Sequence, residues 1–244
     1  MVNEFIQTLS SIERQDFYIA FGQLMYVIMF FLFIWGTKKF NIKRKNLILL
    51  FISFATAFLL SPIICSSMNH ITSGLIPKRN LGVGFLPFIV LFSLLSYIFK
   101  ISFFESLDVV VPMYIGGRGV CIIGCLFTGC CHGFPVEWGI YSHHAACNTV
   151  PCPLFDSIAS ILIVILLMKY CKNKENYRVG KTAAYGMVTF GILRYVIDIL
   201  RDNNKLLSML TFEGIIGFIT MCVGLILLYY LENITQKNTS LHYI

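Results

Sequence analysis

Long apolar runs separated by short polar stretches dominate this chain of 244 residues. About seven of them approach or exceed the roughly 18–20 residues that a helix needs to cross a bilayer. They cover approximately residues 18–35, 47–65, 83–99, 109–127, 154–168, 182–200 and 214–230. The fourth run is rich in glycine, which is typical of close helix contacts or of a break in the helix. The pattern predicts an all-α, polytopic membrane protein with about seven transmembrane helices.

Composition supports this class. The chain is 57% hydrophobic and 13% charged, with a mean hydropathy of +0.77, whereas soluble domains are roughly 45–50% apolar. The first run is preceded by Glu4, Glu13, Arg14 and Asp16 and has no small-residue cleavage site. We therefore expect a retained helix and not a signal peptide.

Lysine and arginine are concentrated in alternate connections. The basic connections hold Lys38, Lys39, Lys43, Arg44 and Lys45, then Lys100, then Lys169, Lys172, Lys174, Arg178 and Lys181. Because basic loops stay in the cytoplasm, we expect an external N-terminus and a cytoplasmic C-terminus. The net charge of +7 follows from this bias and favours anionic lipid head groups, so nucleic acid is not expected as a partner.

We expect one integral membrane domain over 1–244, with two polar segments. The connection at 128–153 is too polar to cross the membrane and too long for a turn, which is typical of a functional loop. With the predicted orientation it is extracytoplasmic. The tail at 232–244 is polar, and we expect it to be loose.

Arginine and aspartate recur inside the sixth run. Arg194 and Asp198 are one helical turn apart, and Arg201 continues the same face. One interpretation is a structural ion pair between helices. The other, which we favour, is an anion site in which arginine binds phosphate and the aspartate fixes its rotamer. Arg118 in the fourth run is either paired with Asp108, Glu105 or Asp198, or snorkels, or is a second cation for the same phosphate.

Six of the nine cysteines and three of the five histidines lie between positions 118 and 152. The loop cluster consists of Cys130, Cys131, His132, His143, His144, Cys147 and Cys152. It permits three interpretations: a tetrahedral zinc site, although paired CxxC spacings are missing; disulfides from Cys130 or Cys131 to Cys147 or Cys152; or a reactive thiol activated by His132 or an arginine. Disulfides are favoured over zinc, and no cofactor is expected.

The order DVVVPMYIGGRGVCIIGCLFTGCCHG, WGIY, VPCPLFD, RYVIDILRD resembles the prolipoprotein diacylglyceryl transferase family, from about residue 21 to 217. The resemblance implies a seven-helix protein of the bacterial cytoplasmic (inner) membrane. It implies transfer of a diacylglyceryl group from phosphatidylglycerol to the cysteine of a lipobox-bearing preprolipoprotein.

Several positions match the family pattern residue by residue. They are Asp108, Pro112, Gly124, Gly129 and Gly133, the pair Trp138 and Gly139, then Pro151, Leu154, Phe155, Asp156, Arg194 and Arg201, with Asp198 where a glutamate is usual. The chain resembles a cysteine-rich branch, because other family positions differ. Ile122 stands at the signature arginine with Arg118 one turn earlier, Cys125 at the asparagine, Cys130 at the glutamate, Leu86 at a histidine and Phe21 at a tyrosine.

The leading hypothesis is a transferase that acts on a phosphoglycerolipid at the outer leaflet. Arg194, Arg201 and Arg118 would hold the phosphate, with Cys125, Gly133, Trp138 and Asp198 lining the substrate site. His132, His143 or His144 would be the base, and Cys130 or Cys131 a covalent nucleophile. The alternatives are a thiol–disulfide redox protein using Cys130 with Cys131 or Cys147 with Cys152, and a non-catalytic lipid-binding or metal-binding module.

Overall fold

The computed structural model describes residues 2–40, 92–100, 102–172, 178–201 and 212–240, together with positions 48, 51, 52, 55, 56 and 60. The elements are α1 (Val2–Thr8), α2 (Ser11–Lys39), α3 (Phe103–Thr128), β1 (Pro135–Ser142), β2 (Cys147–Thr149), α4 (Cys152–Lys172), α5 (Lys181–Leu200) and α6 (Phe212–Ser240). In the described ranges, the five helices α2 to α6 are long and apolar enough to cross a membrane.

The helical prediction is confirmed for the described part of the chain, with two qualifications. Most of the predicted runs 47–65 and 83–99 lies outside the described residues, although positions 48, 51, 52, 55, 56, 60 and 92–98 are helical. The polar connection contains the antiparallel pair β1–β2, a short hairpin that the all-α prediction did not include. Helix α6 continues into the predicted tail as far as Ser240, and the looseness of that tail stays a prediction.

Helix α3 occupies the centre of the bundle and packs against α2, α4 and α5. It is one uninterrupted helix of 26 residues, so the predicted break is wrong and the predicted close contact is confirmed. A Cβ on Gly119 would lie 2.7 Å from the Cβ of Ser160 in α4, and a Cβ on Gly117 would overlap Met29 in α2. Glycine therefore allows both neighbouring helices to approach the α3 backbone.

Helices α5 and α6 meet along a second seam of glycines. A Cβ on Gly191 would lie 2.6 Å from the backbone oxygen of Gly217, and a Cβ on Gly217 would lie 2.7 Å from the Cβ of Arg194. The close approach brings the first turn of α6 beside the last two turns of α5. This is how Glu213, at the start of α6, reaches the arginines of α5.

Asp108 joins the beginning of α3 to the beginning of α5. Its two carboxylate oxygens accept hydrogen bonds of 2.7 Å from the backbone N–H groups of Gly180 and Ala183. Gly180, the N-cap residue of α5, has no side chain to provide this cap. Asp108 therefore caps α5 and does not pair with Arg118, which was one of the predicted alternatives. The two residues are ten positions apart on α3, about 15 Å along the helix axis.

The two ends of the bundle differ in composition. At one end, α1 lies against the β hairpin, where the Asn3 side chain accepts a 2.6 Å hydrogen bond from the N–H of Tyr141 and the Ile6 carbonyl lies 2.7 Å from Nε2 of His143. At the other end are the basic residues that close α2 and α4 and open α5, namely Lys38, Lys39, Lys169, Lys172 and Lys181.

Candidate functional site

Asp156, near the start of α4, is the centre of a buried ionic cluster. Its carboxylate is 0% exposed and accepts two hydrogen bonds from Arg118, at 2.8 and 2.9 Å, and one of 2.7 Å from Nη1 of Arg194. Arg118 also lies over the ring of Phe190, 5.3 Å from its centroid. A carboxylate with three charge-assisted hydrogen bonds is a strong acceptor, and it fixes both arginines in place.

Glu213 extends the cluster to a third arginine. Its Oε2 accepts a 2.7 Å hydrogen bond from Nη1 of Arg201 and also contacts Nη2 of Arg194. All three arginines are at most 2% exposed. Two acids, Asp156 of α4 and Glu213 of α6, therefore bind three arginines: Arg118 of α3, Arg194 of α5 and Arg201 directly after α5.

These contacts revise the predicted pairing. Arg194 binds Asp156 and Glu213, two acids of other helices with which it was not predicted to pair. The predicted partner, Asp198, is buried beside Gly214. Arg118 binds Asp156, an acid that was not among its predicted partners. Glu213 was missed entirely. An acid at the start of each of two apolar runs was the signal that could have found both partners.

Arg201 differs from the other two arginines in what it leaves open. Its Nε and Nη2 groups are buried and have no hydrogen-bond partner among the described residues. In Arg118 both terminal nitrogens are bound, and in Arg194 each terminal nitrogen meets an acid. Arg201 thus leaves three donor hydrogens unsatisfied, whereas Arg118 leaves only the one on Nε. Unsatisfied donors on a buried guanidinium are costly unless an acceptor binds there.

Backbone contacts place Arg201 beside the loop that follows α3. Gly133 forms an antiparallel bridge with Arg201, and the N–H of Phe134 donates to the carbonyl of Leu200 at 3.3 Å. A Cβ on Gly133 would lie 2.7 Å from that carbonyl and 2.9 Å from Sγ of Cys152. Gly133, predicted to line a substrate site, thus permits a close approach of backbones.

Three thiols meet at the end of α3. The Sγ atoms of Cys125, Cys130 and Cys131 all lie within 4.8 Å of one another. Gly129 (φ 74°) ends the helix in the left-handed conformation, and Cys131 also has a positive φ of 62°. The chain therefore turns back over the helix end, and the two adjacent cysteines return to the one in its last turn.

Neighbouring donors favour the thiolate form of Cys130. Hydrogen bonds from Cys125 and Cys131, one from the hydroxyl of Thr128, and the positive charge of Arg201 lower the pKa of Cys130 from 9.0 to about 3, against the effect of burial. Its contact with Thr128 is 3.1 Å, whereas the one it would donate as a thiol to the carbonyl of Cys125 is a long 3.9 Å. The shorter contact suits a sulfur that accepts.

The predicted disulfides are wrong. All eight cysteines in the described residues are free thiols. Cys152 contacts the carbonyl of Leu200 at 3.6 Å, and Cys147 lies in β2 opposite Ser142. The residues predicted to bind zinc also do not come together. Nε2 of His143 lies against the carbonyl of Ile6, and His144 is exposed. Cys125, which was not in that set, belongs to the thiol group that does form.

His132 follows Cys131 directly in the chain. It lines a cleft together with Cys125 and Cys130, between the end of α3 and the hairpin. Its Nδ1 lies 3.1 Å from the carbonyl oxygen of Gly133, which can only accept, so the neutral ring carries its hydrogen on Nδ1. Nε2 is then left as a base. Trp138 is 68% exposed on β1 and does not line this cleft.

Comparison with known proteins identifies relatives of this chain. The family model described as prolipoprotein diacylglyceryl transferase matches residues 82–230. A phosphatidylglycerol–prolipoprotein diacylglyceryl transferase of Clostridium tetani is 29% identical over 129 residues, which are 50% of this chain and 51% of the relative. The second such transferase of Clostridium perfringens is 30% identical over 150 residues, 57% of this chain and 56% of the relative.

The same name is carried by a protein of Finegoldia magna that is 25% identical over 130 residues, 52% of this chain and 51% of the relative. The matched part thus spans about half the length of each relative. The family model covers more than half of this chain and includes every residue of the ionic cluster and of the three-thiol group. The chain belongs to the prolipoprotein diacylglyceryl transferase family.

Proposed function

We propose that this protein transfers a diacylglyceryl group from phosphatidylglycerol to the cysteine thiol of a lipobox-bearing preprolipoprotein. Family membership and the names of the relatives support the reaction class. We further propose a multi-pass protein of the bacterial cytoplasmic membrane with seven helices, an external N-terminus and a cytoplasmic C-terminus. The contact of α1 with the hairpin, opposite the lysine-rich end, is consistent with this orientation.

The unsatisfied guanidinium of Arg201 carries the assignment of a phosphate site. A phosphodiester oxygen would accept from Nε and Nη2 together, the paired geometry for which arginine is suited. The residue lies at the end of α5 beside the thiol-bearing loop, where a lipid head group at the outer leaflet would lie. Arg118 and Arg194, predicted as phosphate ligands, become positioning residues, because Asp156 and Glu213 already bind their terminal nitrogens.

The reaction requires one bond to form and one to break. The acceptor sulfur bonds to the terminal glyceryl carbon of the diacylglyceryl group. The bond from this carbon to the phosphate oxygen breaks, its electron pair stays on the oxygen, and glycerol phosphate leaves. Arg201 stabilises the charge that develops on this leaving group. The proton of the acceptor thiol passes to Nε2 of His132.

Direct transfer is favoured over the predicted covalent step on Cys130. A diacylglyceryl group on that sulfur would be held by a thioether, and a thiolate leaves poorly from an unactivated carbon. A second displacement would therefore be slower than the first, and the intermediate would offer no easier path. The thiols are placed for another role.

Transfer is tested with purified protein in lipid nanodiscs, labelled phosphatidylglycerol and a peptide that carries a lipobox cysteine. We expect label on the peptide, and no label on a peptide with serine in place of that cysteine. Arg201→Ala should lower the rate by about 10²–10³, the effect of losing one preorganised donor to a developing anion. Arg178→Ala, which removes an arginine near the opposite end of α5, is the matched control and should retain the rate.

Two results would contradict the proposal. Wild-type protein that transfers no label to the thiol peptide removes the transferase function. Activity of Arg201→Ala within threefold of wild type, in protein with an unchanged unfolding midpoint, removes the phosphate site while leaving the reaction class intact.

A further inference from the structure

We propose that Cys125, Cys130 and Cys131 bind a zinc ion, and that the fourth ligand of this zinc is the acceptor thiol. The inference rests on the transferase function proposed above for the identity of that thiol. The zinc site itself rests on the geometry of the three sulfurs. Neither histidines nor carboxylates are needed to complete it.

The separation of the sulfurs fits one zinc ion. In tetrahedral coordination with Zn–S distances of about 2.3 Å, two sulfurs are about 3.8 Å apart. The three Sγ atoms already lie within 4.8 Å of one another. A contraction of about 1 Å or less, within the reach of a cysteine rotamer, would complete three corners of the tetrahedron.

The backbone is bent to produce this arrangement. Cys131 has a left-handed φ of 62° directly after Cys130, and two residues after Gly129 with a φ of 74°. Positive φ is uncommon for a residue with a side chain, and such outliers persist where surrounding structure holds them, often at ligand sites. Here the two left-handed residues turn the adjacent cysteines back towards Cys125.

The chemistry of the donors selects the metal. Thiolate sulfur prefers soft or borderline ions such as zinc or monovalent copper, and rejects magnesium and calcium. Sites with three protein ligands keep a fourth position for water or substrate, whereas structural zinc sites close all four. His132 lines the same cleft as Cys125 and Cys130, so the residue that would take a proton borders the space next to the open position.

A zinc-bound acceptor thiol would be activated for the proposed transfer. A thiol that coordinates zinc loses its proton outright, and His132 is placed to receive it. The sulfur then displaces the phosphate oxygen from the glyceryl carbon, as above, with no oxidation or reduction at any atom. The positive charge of Arg201 beside this loop partly offsets the negative charge of three thiolates on a divalent ion.

Metal binding is measured first, without lipid or peptide. Full-length protein in micelles, reduced and stripped of metal, is titrated with Zn²⁺ in competition with a chromophoric chelator, and with Co²⁺ as an absorbing probe. We expect one ion per chain and an intense sulfur-to-cobalt charge-transfer band. Cys130→Ser and Cys131→Ser should each weaken binding by at least tenfold. Cys147→Ser, a free cysteine of β2 outside the cluster, should bind as wild type does.

The fourth position is tested with the acceptor. A lipobox peptide should increase the cobalt charge-transfer absorption, and its serine analogue should not. The zinc site is overturned if reduced protein binds no ion, or if Cys130→Ser and Cys131→Ser bind as wild type does. It is also overturned if peptide mapping of protein kept from reductants finds a disulfide within the three cysteines.

The two proposals fail separately. One ion per chain together with no transfer in the zinc-loaded protein would refute the transferase function and leave the metal site standing. Transfer at an unchanged rate in metal-free protein would refute the role of zinc and leave the transferase function standing.

Discussion

Replacing Asp156 with asparagine would remove one negative charge from the centre of the ionic cluster with almost no change in shape. The carboxylate makes three hydrogen bonds to Arg118 and Arg194 and is completely buried. The asparagine oxygen could keep one of them. The amide hydrogens would face guanidinium nitrogens, which have no lone pair to accept them.

The magnitude follows from the charges. Two guanidinium groups near one carboxylate gain about 4 kcal/mol each at a charge separation of about 4 Å and an effective dielectric constant of 20. Part of this gain only offsets the desolvation of the ions, so breaking a buried pair typically costs about 3–5 kcal/mol. We expect Asp156→Asn to lower the free energy of unfolding by that amount.

The assay is unfolding of purified protein by sodium dodecyl sulfate in mixed micelles, followed by circular dichroism. Glu137→Gln is the matched control, because Glu137 is an exposed acid on β1, and it should change the free energy of unfolding by no more than about 0.5 kcal/mol. In a double-mutant cycle with Arg118→Gln, the second substitution should cost less in the presence of the first. A loss below about 1 kcal/mol in Asp156→Asn would refute the ionic cluster as a determinant of stability.

Three further predictions follow from other contacts. In metal-free protein, Cys130 should react with iodoacetamide at pH 5 nearly as fast as at pH 8, because its lowered pKa of about 3 keeps it a thiolate at both pH values. The contribution of this thiolate to the stability of the fold should decrease as the pH falls towards 3. A tenfold slower reaction at pH 5 than at pH 8 would contradict the lowered pKa. Gly217→Ala should lower the free energy of unfolding by about 1–3 kcal/mol, because the added methyl group overpacks against Arg194. Gly22→Ala is the control and should not lower it, because Gly22 has open space around it. Equal effects of the two substitutions would exclude the close approach of α5 and α6. Asn3→Ala should speed hydrogen exchange in the hairpin, because it removes the bond to Tyr141, and unchanged exchange would show that α1 does not hold it.

Hydropathy alone placed most ends of the five described membrane helices to within a few residues. The reason is that a helix needs a long apolar segment to cross a bilayer. The register of the arginines was also visible, since Arg194 and Arg201 interrupt or end an apolar run. Which acids these arginines bind could not be read from hydropathy. Asp156 and Glu213 belong to other helices, and only the close glycine contacts of α3 with α4 and of α5 with α6 bring them together.

The thiol cluster shows a different limit of sequence reasoning. The expected extracytoplasmic location of the loop favoured disulfides from Cys130 or Cys131 to Cys147 or Cys152. The left-handed residues at 129 and 131 turn them back to Cys125, and a non-glycine residue with positive φ has no signature in the sequence. The hairpin was missed for a similar reason, since β1 and β2 pair with a register shift between Pro135 and Ile140 that no simple alternation of polar and apolar residues encodes.

The cap that Asp108 provides for α5 has a consequence for the order of assembly. The first turn of α5 lacks a side-chain cap of its own, and its two capping bonds come from a residue 72 to 75 positions earlier in the chain. During synthesis, α3 enters the membrane before α5, so the carboxylate is in place when the later helix arrives. Until the two helices dock, water at the membrane surface must solvate those backbone donors. Docking of α5 against α3 and completion of the α5 terminus are therefore a single cooperative step.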